Sequence, residues 1–255
     1  MGKYNSITRT GAFEPFDLHV QRGFIEGHFT VQKFGFATSV SGTEVPVWDG
    51  GSIYTYATSA GPITMAATSG TNTTSRILIQ GLDGDYNLQE ETLTLNATTT
   101  VTSANNYLRI FRAQTVNDVN VASKVNFYLD GNRNGVIEPN ENQSLMALYT
   151  IPAGYTGFLN QINISSGTAQ PNQFIRVRVK EKEFGGVFQT KAKYTISNSF
   201  VEERYTYPLV IPEKSDLQIT AISSSNINEI ATIFNLLLIK NTTNDDLPVR
   251  SGATQ

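Results

Sequence analysis

Nearly the whole stretch from Leu145 to Ile239 has the pattern of β-strands separated by turns, and this feature constrains the fold more than any other. In FIRVRVKEK, Ile175, Val177 and Val179 alternate with basic residues, as expected of a strand with one buried face. The segment ATIFNLLLI (231–239) is apolar at both parities, so we expect it to be buried on both faces. No helical apolar period longer than about two turns stands out. The sequence therefore predicts an all-β fold of the β-sandwich or jelly-roll type.

The residues before this stretch form another strand-rich region. RILIQ has Ile77 and Ile79 on one face and Leu78 on the other, which is typical of a central strand. LDGDYN (82–87) predicts a hairpin turn, because Asp-Gly tolerates positive φ. We therefore divide the chain into an extended N-terminal arm (1–22), a first β region (23–123), a connecting loop (124–142), a second β-sandwich region (143–240) and a mobile tail (241–255).

Charge and cysteine content exclude several classes of protein. The 255 residues carry a formal net charge of −3, which gives no general attraction to nucleic acid or to an anionic membrane. There is no cysteine, so stability must come from packing, hydrogen bonds, oligomerisation or a hard metal ion. The N-terminal segment lacks the apolar core of a signal peptide, and the longest apolar run, IFNLLLI, is too short to cross a membrane. These features predict a cytoplasmic factor or a virion component assembled in a host cytoplasm.

Five segments carry a further signal. They are FGFATSVSGTEVPVWDGGSIYTY (34–56), RILIQGLDGDYNLQEETLTLN (76–96), YLRIFRAQ (107–114), LMALYTIPAGYTGFL (145–159) and FGGVFQTKAKYTISNSFVEERYTYPLVIPEKSDLQITAISSSN (184–226). Together they resemble a family of tailed-bacteriophage virion structural proteins common among marine and cyanobacterial phages. The resemblance lies in turn residues and strand patterns, and it implies a virion role without known catalysis. The loop 130–141 is not a feature of that family.

The segment DGNRNGVIEPNE (130–141) fits the twelve-residue calcium-loop pattern. The predicted calcium ligands are Asp130, Asn132, Asn134, Val136 through its carbonyl, Glu138 and Glu141. Gly135 permits the sharp turn that such a loop needs. The flanking segments have strand patterns rather than helical ones, so the alternative is an Asn-Gly hairpin turn. A calcium ion here would be structural and would tie the two β regions together, and calcium should then raise the melting temperature.

The predicted hairpin 174–196 presents a row of basic side chains on its outward face. They are Arg176, Arg178, Lys180, Lys182, Lys191 and Lys193. We interpret this row first as a solvated face that blunts a sheet edge. The alternative is a patch that docks on an acidic capsid surface or a neighbouring subunit. Aromatic residues for stacking bases are absent from that face, so nucleic-acid binding is not expected.

No assembled set of catalytic residues is visible. Glu90-Glu91 and Glu202-Glu203 are adjacent on predicted strands, where neighbours point to opposite faces. We therefore expect no enzyme, no cofactor except the structural calcium, and a homo-oligomer in the virion that decorates or stabilises a capsid shell. Its partners would be other virion proteins. The alternatives are a neck or tail component, a receptor- or glycan-binding module, and a tail-associated glycan hydrolase that unites distant carboxylates.

Overall fold

The computed structural model describes residues 14–70, 74–167, 173–197, 199–224 and 228–241. Strands make up most of this part of the chain and are accompanied by a single short helix, so the all-β prediction is confirmed. That helix is far too short to span a membrane. The predicted arm lies outside the described residues up to residue 13, and so does the predicted tail after Asn241.

The elements follow one another along the chain in this order: α1 (Phe16–Gln21), β1 (His28–Val40), β2 (Val45–Pro46), β3 (Gly61–Ala67), β4 (Arg76–Leu82), β5 (Leu88–Thr94), β6 (Val101–Tyr107), β7 (Arg109–Thr115), β8 (Val125–Leu129), β9 (Asn132–Ile137), β10 (Leu148–Thr150), β11 (Tyr155–Ser166), β12 (Ile175–Lys182), β13 (Gln189–Ile196), β14 (Phe200–Ile211), β15 (Asp216–Ser223) and β16 (Asn228–Lys240).

Two antiparallel sheets form what we call the main sandwich. One has the strand order β1-β16-β11-β14, and the other has the order β10-β15-β12-β13 with β2 also paired to β15. Between them lies a core that includes Leu159, Ile162, Val177, Ile219 and Phe234. Each such fully buried side chain contributes about 1.5–3 kcal/mol relative to an exposed one, so this core is a large source of stability.

The strands β3 to β9 form a second unit, the inserted sandwich, with its own core. Its sheets have the orders β6-β3-β8-β9 and β5-β4-β7. Ile63, Met65, Ile79, Tyr107 and Phe127 are fully or almost fully buried between them. The predicted central position of the RILIQ strand is confirmed, because β4 pairs with β5 on one side and β7 on the other. The chain thus forms β1 and β2 of the main sandwich, then the whole inserted sandwich from β3 to β9, and then the remaining strands of the main sandwich from β10 to β16.

This nesting differs from the predicted division at residues 123 and 143. The strand β1 pairs along the length of β16, from His28 opposite Ile239 to Val40 opposite Asn228, so it belongs with the C-terminal strands. In addition, β8 and β9 lie within the predicted connecting loop 124–142 and complete the inserted sandwich. Period-two patterns identify strands but not the strands they pair with. Pairing between segments about 200 residues apart cannot be predicted from the local sequence of either segment.

The end of the predicted arm is helical rather than extended. Phe16–Gln21 form about one and a half turns that start after Pro15, and Asp17 in the first turn suits the positive end of the helix dipole. This helix packs on β1, where the ring of Phe16 meets His28 edge-on and Gln21 accepts a hydrogen bond from Thr30. A short helix of this kind is stabilised by tertiary contacts rather than by propensity, which explains why the sequence pattern did not reveal it.

The alternation in β12 is as predicted, since Ile175, Val177 and Val179 are buried. Gly185, at φ 75°, forms the turn to β13, as expected for a glycine at a left-handed position. The strand β16 differs from the prediction that residues 231–239 are buried on both faces. Its odd-numbered residues from Ala231 to Ile239 are only partly buried, so one face lies in the core and the other remains partly open.

Candidate functional site at the junction of the two sandwiches

The predicted calcium segment forms a β-hairpin. Asp130 and Gly131 both have positive φ, at 52° and 71°, and form the two-residue turn between β8 and β9. This is the turn chemistry that Asp-Gly favours in a tight hairpin. Asn132 to Ile137 then run as a strand paired with Val125 to Leu129. The segment is therefore a hairpin, as in the alternative, but its turn is Asp130-Gly131 and not Asn134-Gly135, which lie within β9.

An extended strand does not gather the six predicted ligands. From Asn132 to Ile137 a strand advances about 16 Å, so Asp130 and Glu141 lie towards opposite ends. Val136 is buried in an apolar cluster, while the Asn134 amide donates to the Thr55 carbonyl. Within the described ranges there is no group of three or more His, Cys, Asp or Glu side chains placed to hold a metal ion.

The acidic residues at the end of this segment instead influence a neighbouring carboxyl group. Asp49 accepts a hydrogen bond from the Leu145 N–H at 2.8 Å. The pKa of Asp49 is raised to about 7, first by burial and then by the charges of Glu138 and Glu141, while the hydrogen bond from Leu145 and the charge of Lys124 act in the opposite direction. Lys124 itself pairs with Glu138 at 2.7 Å. The negative charge here is therefore partly neutralised within the chain.

The predicted basic row is interrupted in two ways. Glu44 pairs with both Arg178 and Lys180, which neutralises the middle of the row. A bulge in the pairing of β12 with β13 leaves Lys191 without an opposite residue, and its ammonium reaches the buried carboxylate of Glu181 at 3.2 Å. Lys191 thus contacts an inward-facing group and does not extend the outward row.

The other three basic residues of the predicted row are Arg176, Lys182 and Lys193. The Arg176 guanidinium lies 4.7 Å from the centre of the Phe174 ring, a cation–π contact. Lys193 lies opposite Arg178 on the edge strand β13, and Lys182 ends β12. The lysines on this edge fit the interpretation of a blunted sheet edge.

A buried ion pair joins the two sandwiches. Arg109 on β7 of the inserted sandwich donates from Nε and Nη2 to the two oxygens of Asp216 on β15, at 2.9 and 3.1 Å. Both side chains are almost fully buried. Thr150 donates to the same carboxylate at 2.6 Å, and Arg109 Nη1 donates to the carbonyls of Ala57 and Leu108. Burial alone would lower the pKa of Arg109, but Asp216 outweighs it and raises the pKa.

A second buried cation at the same junction has no such partner. Lys33 on β1 is only 2% exposed, and its ammonium donates to the Phe111 carbonyl of the inserted sandwich. No carboxylate in the described part of the chain forms an ion pair with it. Burial, and then the nearby charge of Arg112, lower the pKa of Lys33 to about 7. Arg112 donates to the Gln32 carbonyl at 3.1 Å, so both cations lie where the sandwiches meet.

Lys33 and Arg112 line a cleft of about 690 Å³ between α1, the edge strand β1 and the inserted sandwich. Six amide side chains also line it: Gln21, Gln32, Gln80, Asn160, Gln161 and Asn235. Three of them form a chain of hydrogen bonds across the sheet, from Gln32 to Asn235 at 3.1 Å and from Asn235 to Gln161 at 3.4 Å. The cleft therefore combines positive charge with many donors and acceptors.

Sequence reasoning did not identify this site. A signal was nevertheless present, because Lys33 has the same parity as Phe29 and Val31 and therefore faces inward with them. A cation at an inward strand position marks a buried charge, which is costly and needs a specific environment. The partners of Arg109 and Lys33 come from strands that are distant in sequence, and no local pattern locates them.

The outer face of the β1-β16-β11-β14 sheet carries apolar side chains towards both of its ends, on either side of the Gln32–Asn235–Gln161 amides. Phe158 on β11 lies opposite both Leu237 and Val210, and these side chains point away from the core. On the edge strand β14, Phe200 is 58% exposed and Val210 is 55% exposed. An exposed apolar surface of this kind is typical of one that a partner covers.

These features define an all-β protein in which one sandwich is inserted into another, with a polar, basic cleft where they meet. No protein-family model matches the chain, and no curated protein is significantly similar to it. Several solved structures show a weak likeness, and two of them illustrate its level. The infectious bursal disease virus VP2 subviral particle is 10% identical, with 85% of this chain and 72% of that chain covered and a TM-score of 0.24. The Gx strain of the same virus is 10% identical, with 86% and 78% covered and a TM-score of 0.24. Likeness at this level carries no argument about the role of this chain.

Proposed function

We propose that this chain is a non-enzymatic structural protein of a tailed-bacteriophage virion, and that it forms homo-oligomers that decorate and stabilise the capsid shell. The observation that carries the proposal is the set of exposed apolar side chains on the outer face of the β1-β16-β11-β14 sheet, among them Phe200 and Val210 on its edge strand. A chain present at high local concentration in a particle can cover such a face with a second copy. The family resemblance of residues 34–239 supports the virion part of the proposal.

Copy number in purified particles tests the position on the virion. A shell protein is expected in hundreds of copies per particle, whereas a neck or tail component should number about a dozen or fewer. Quantitative gel densitometry of purified virions, calibrated on the major capsid protein, measures this number directly. A count of a few copies would contradict the decoration role and favour the neck or tail. Absence from the particle would contradict the virion role altogether.

Charge substitution on the outer face tests the oligomer. The double variant Phe200→Glu with Val210→Glu should reduce the mass of the wild-type oligomer to that of the monomer, because charged side chains buried against apolar partners in an interface are strongly unfavourable. Light scattering coupled to size-exclusion chromatography reports the mass. Val187→Glu is the matched control, since Val187 is 74% exposed at the β12–β13 hairpin tip, outside this face. A wild-type chain that stays monomeric at every concentration would contradict self-association.

A further inference from the structure

The cleft at the junction has a lining that the proposed structural role does not use. It shares no residue with the buried Arg109–Asp216 pair. Its volume, about 690 Å³, falls within the usual range for small-ligand sites. It is built from both sandwiches and from α1, so its shape depends on the whole fold.

The charges of the cleft favour an anion. Among the described residues that line it, Lys33 and Arg112 are basic and Asp17 on α1 is the acidic one. Lys33 lies almost fully buried between this cleft and a smaller cavity of about 140 Å³ that Arg112 also lines. Desolvating an ammonium group without a counter-charge is unfavourable, and an incoming carboxylate would supply that charge.

The remaining lining favours a ligand rich in hydroxyl groups. Each amide side chain both donates and accepts, which matches the hydroxyls of a sugar. The rings of Phe29, Phe111 and Tyr149 provide apolar surface in the same cleft. A small inorganic anion would satisfy the two cations but would leave most of the amides and most of the volume unused. The combination therefore fits a saccharide that carries an acid group.

We propose that this cleft binds an acidic sugar, with its carboxylate against Lys33 and Arg112 and its hydroxyls on lining amides beside Arg112, such as Gln80, which lies opposite Arg112 in the pairing of β4 with β7. The site requires no catalysis, and it does not depend on where the chain lies in a virion. A carboxylated sugar and a sulfated sugar share the chemistry that the cations recognise, and the choice of probes separates them.

The test uses the full chain and three probes followed by ligand-observed NMR titration. Glucuronate and glucose differ only at C6, which is a carboxylate in glucuronate and a hydroxymethyl group in glucose. The pair therefore isolates the contribution of the charge. Glucose 6-sulfate is the third probe. We expect glucuronate to bind at least about 10-fold more tightly than glucose, as expected for hydrogen bonds to charged groups. Equal binding of glucuronate and glucose, or no binding of either, would overturn the proposal. Tighter binding of the sulfate ester than of glucuronate would overturn the carboxylate assignment.

Two variants place the ligand in the cleft. Lys33→Met and Arg112→Gln should each weaken glucuronate binding at least about 10-fold while leaving the weak glucose signal unchanged. Lys193→Gln, on the edge strand β13 and outside the cleft, is the matched control and should bind glucuronate as the wild type does. Retained binding in both cleft variants would place the sugar elsewhere. A control variant that loses binding would show that general charge, not the cleft, attracts it.

The pH dependence adds an independent readout. Burial and Arg112 bring the pKa of Lys33 to about 7, so its ammonium is largely charged at pH 6 and largely neutral at pH 8. The other groups that line the cleft and could change charge are Asp17 and Tyr149, and burial raises the pKa of Tyr149 well above this range. Glucuronate affinity should therefore fall between pH 6 and pH 8 in the wild type and stay constant in Lys33→Met. An equal fall in both would contradict a role for Lys33.

Discussion

Two buried cations at one junction have opposite surroundings. Arg109 lies between the sandwiches with a carboxylate, Asp216, that accepts two of its hydrogen bonds. Lys33 lies at the same junction with a backbone carbonyl as its acceptor and another cation, Arg112, beside it. Both carry their charge away from water, which is costly in each case. Only the first receives its counter-charge from within the described chain.

This difference separates a structural cation from one that is available to a ligand. A guanidinium in a bidentate pair is fixed in position and can hold two units in one relative orientation. A buried lysine ammonium without an ion pair has a lowered pKa instead, and an anion that reached it would supply the missing counter-charge. We therefore assign the orientation of the inserted sandwich to Arg109 and Asp216, and the recognition of a ligand to Lys33 and Arg112.

Removing the counter-charge of Arg109 should have the largest effect. Asp216→Ala leaves a guanidinium buried and unpaired, and we expect a loss of about 3–5 kcal/mol in the free energy of unfolding. Urea denaturation at neutral pH measures this loss. The exposed pair of Arg204 and Glu202 provides the control, because Glu202→Ala should cost about 1 kcal/mol or less. Similar losses in both variants would mean that the buried pair does not hold the sandwiches together.

Removing the charge of Lys33 should raise the free energy of unfolding rather than lower it. Lys33→Met keeps an unbranched, apolar side chain of similar length and should stabilise the protein by up to about 4 kcal/mol at pH 7. In the wild type the folded pKa of about 7 lies below the unfolded value of 10.5. Between these values the unfolded chain binds a proton that the folded chain does not, so wild-type stability rises with pH across this window. The advantage of the variant should therefore shrink between pH 7 and pH 10.

Denaturation of wild type and Lys33→Met in parallel at pH 7 and pH 10 checks this sign. A constant difference between them would mean that burial does not perturb the lysine. A destabilised variant at pH 7 would mean that the hydrogen bond to the Phe111 carbonyl outweighs the cost of the buried charge.

The sequence was sufficient for the strands but not for their arrangement. Parity in β12 correctly assigned Ile175, Val177 and Val179 to the core, because side-chain direction in a strand depends only on position. The nesting was not predictable, since β1 pairs with β16 and the residues between them form a separate unit. Local patterns contain no information about which of several similar strands will become neighbours.

The candidate site was harder to predict for a related reason. Asp-Gly at Asp130 and Gly131 is compatible with the start of a calcium loop and also with a hairpin turn, and strand pairing with β8 determines the second outcome. Lys33 was visible as an inward cation, but its environment comes from Phe111 and Arg112, about 80 residues away in another sandwich. Sequence patterns therefore do not identify residues whose role depends on tertiary contacts.

The smallest effect is expected from Arg112, which allows a direct comparison with Arg109 on the same strand, β7. Arg112→Gln removes one hydrogen bond to the Gln32 carbonyl, and we expect a loss of about 1 kcal/mol or less. Arg109→Gln breaks the bidentate pair with Asp216 and should cost several times more. Urea denaturation of the two variants side by side compares identical substitutions three residues apart. If they cost the same, the division into a structural and a ligand-binding cation fails. If Arg112→Gln is nearly neutral, its loss of glucuronate affinity can be assigned to the cleft and not to the fold.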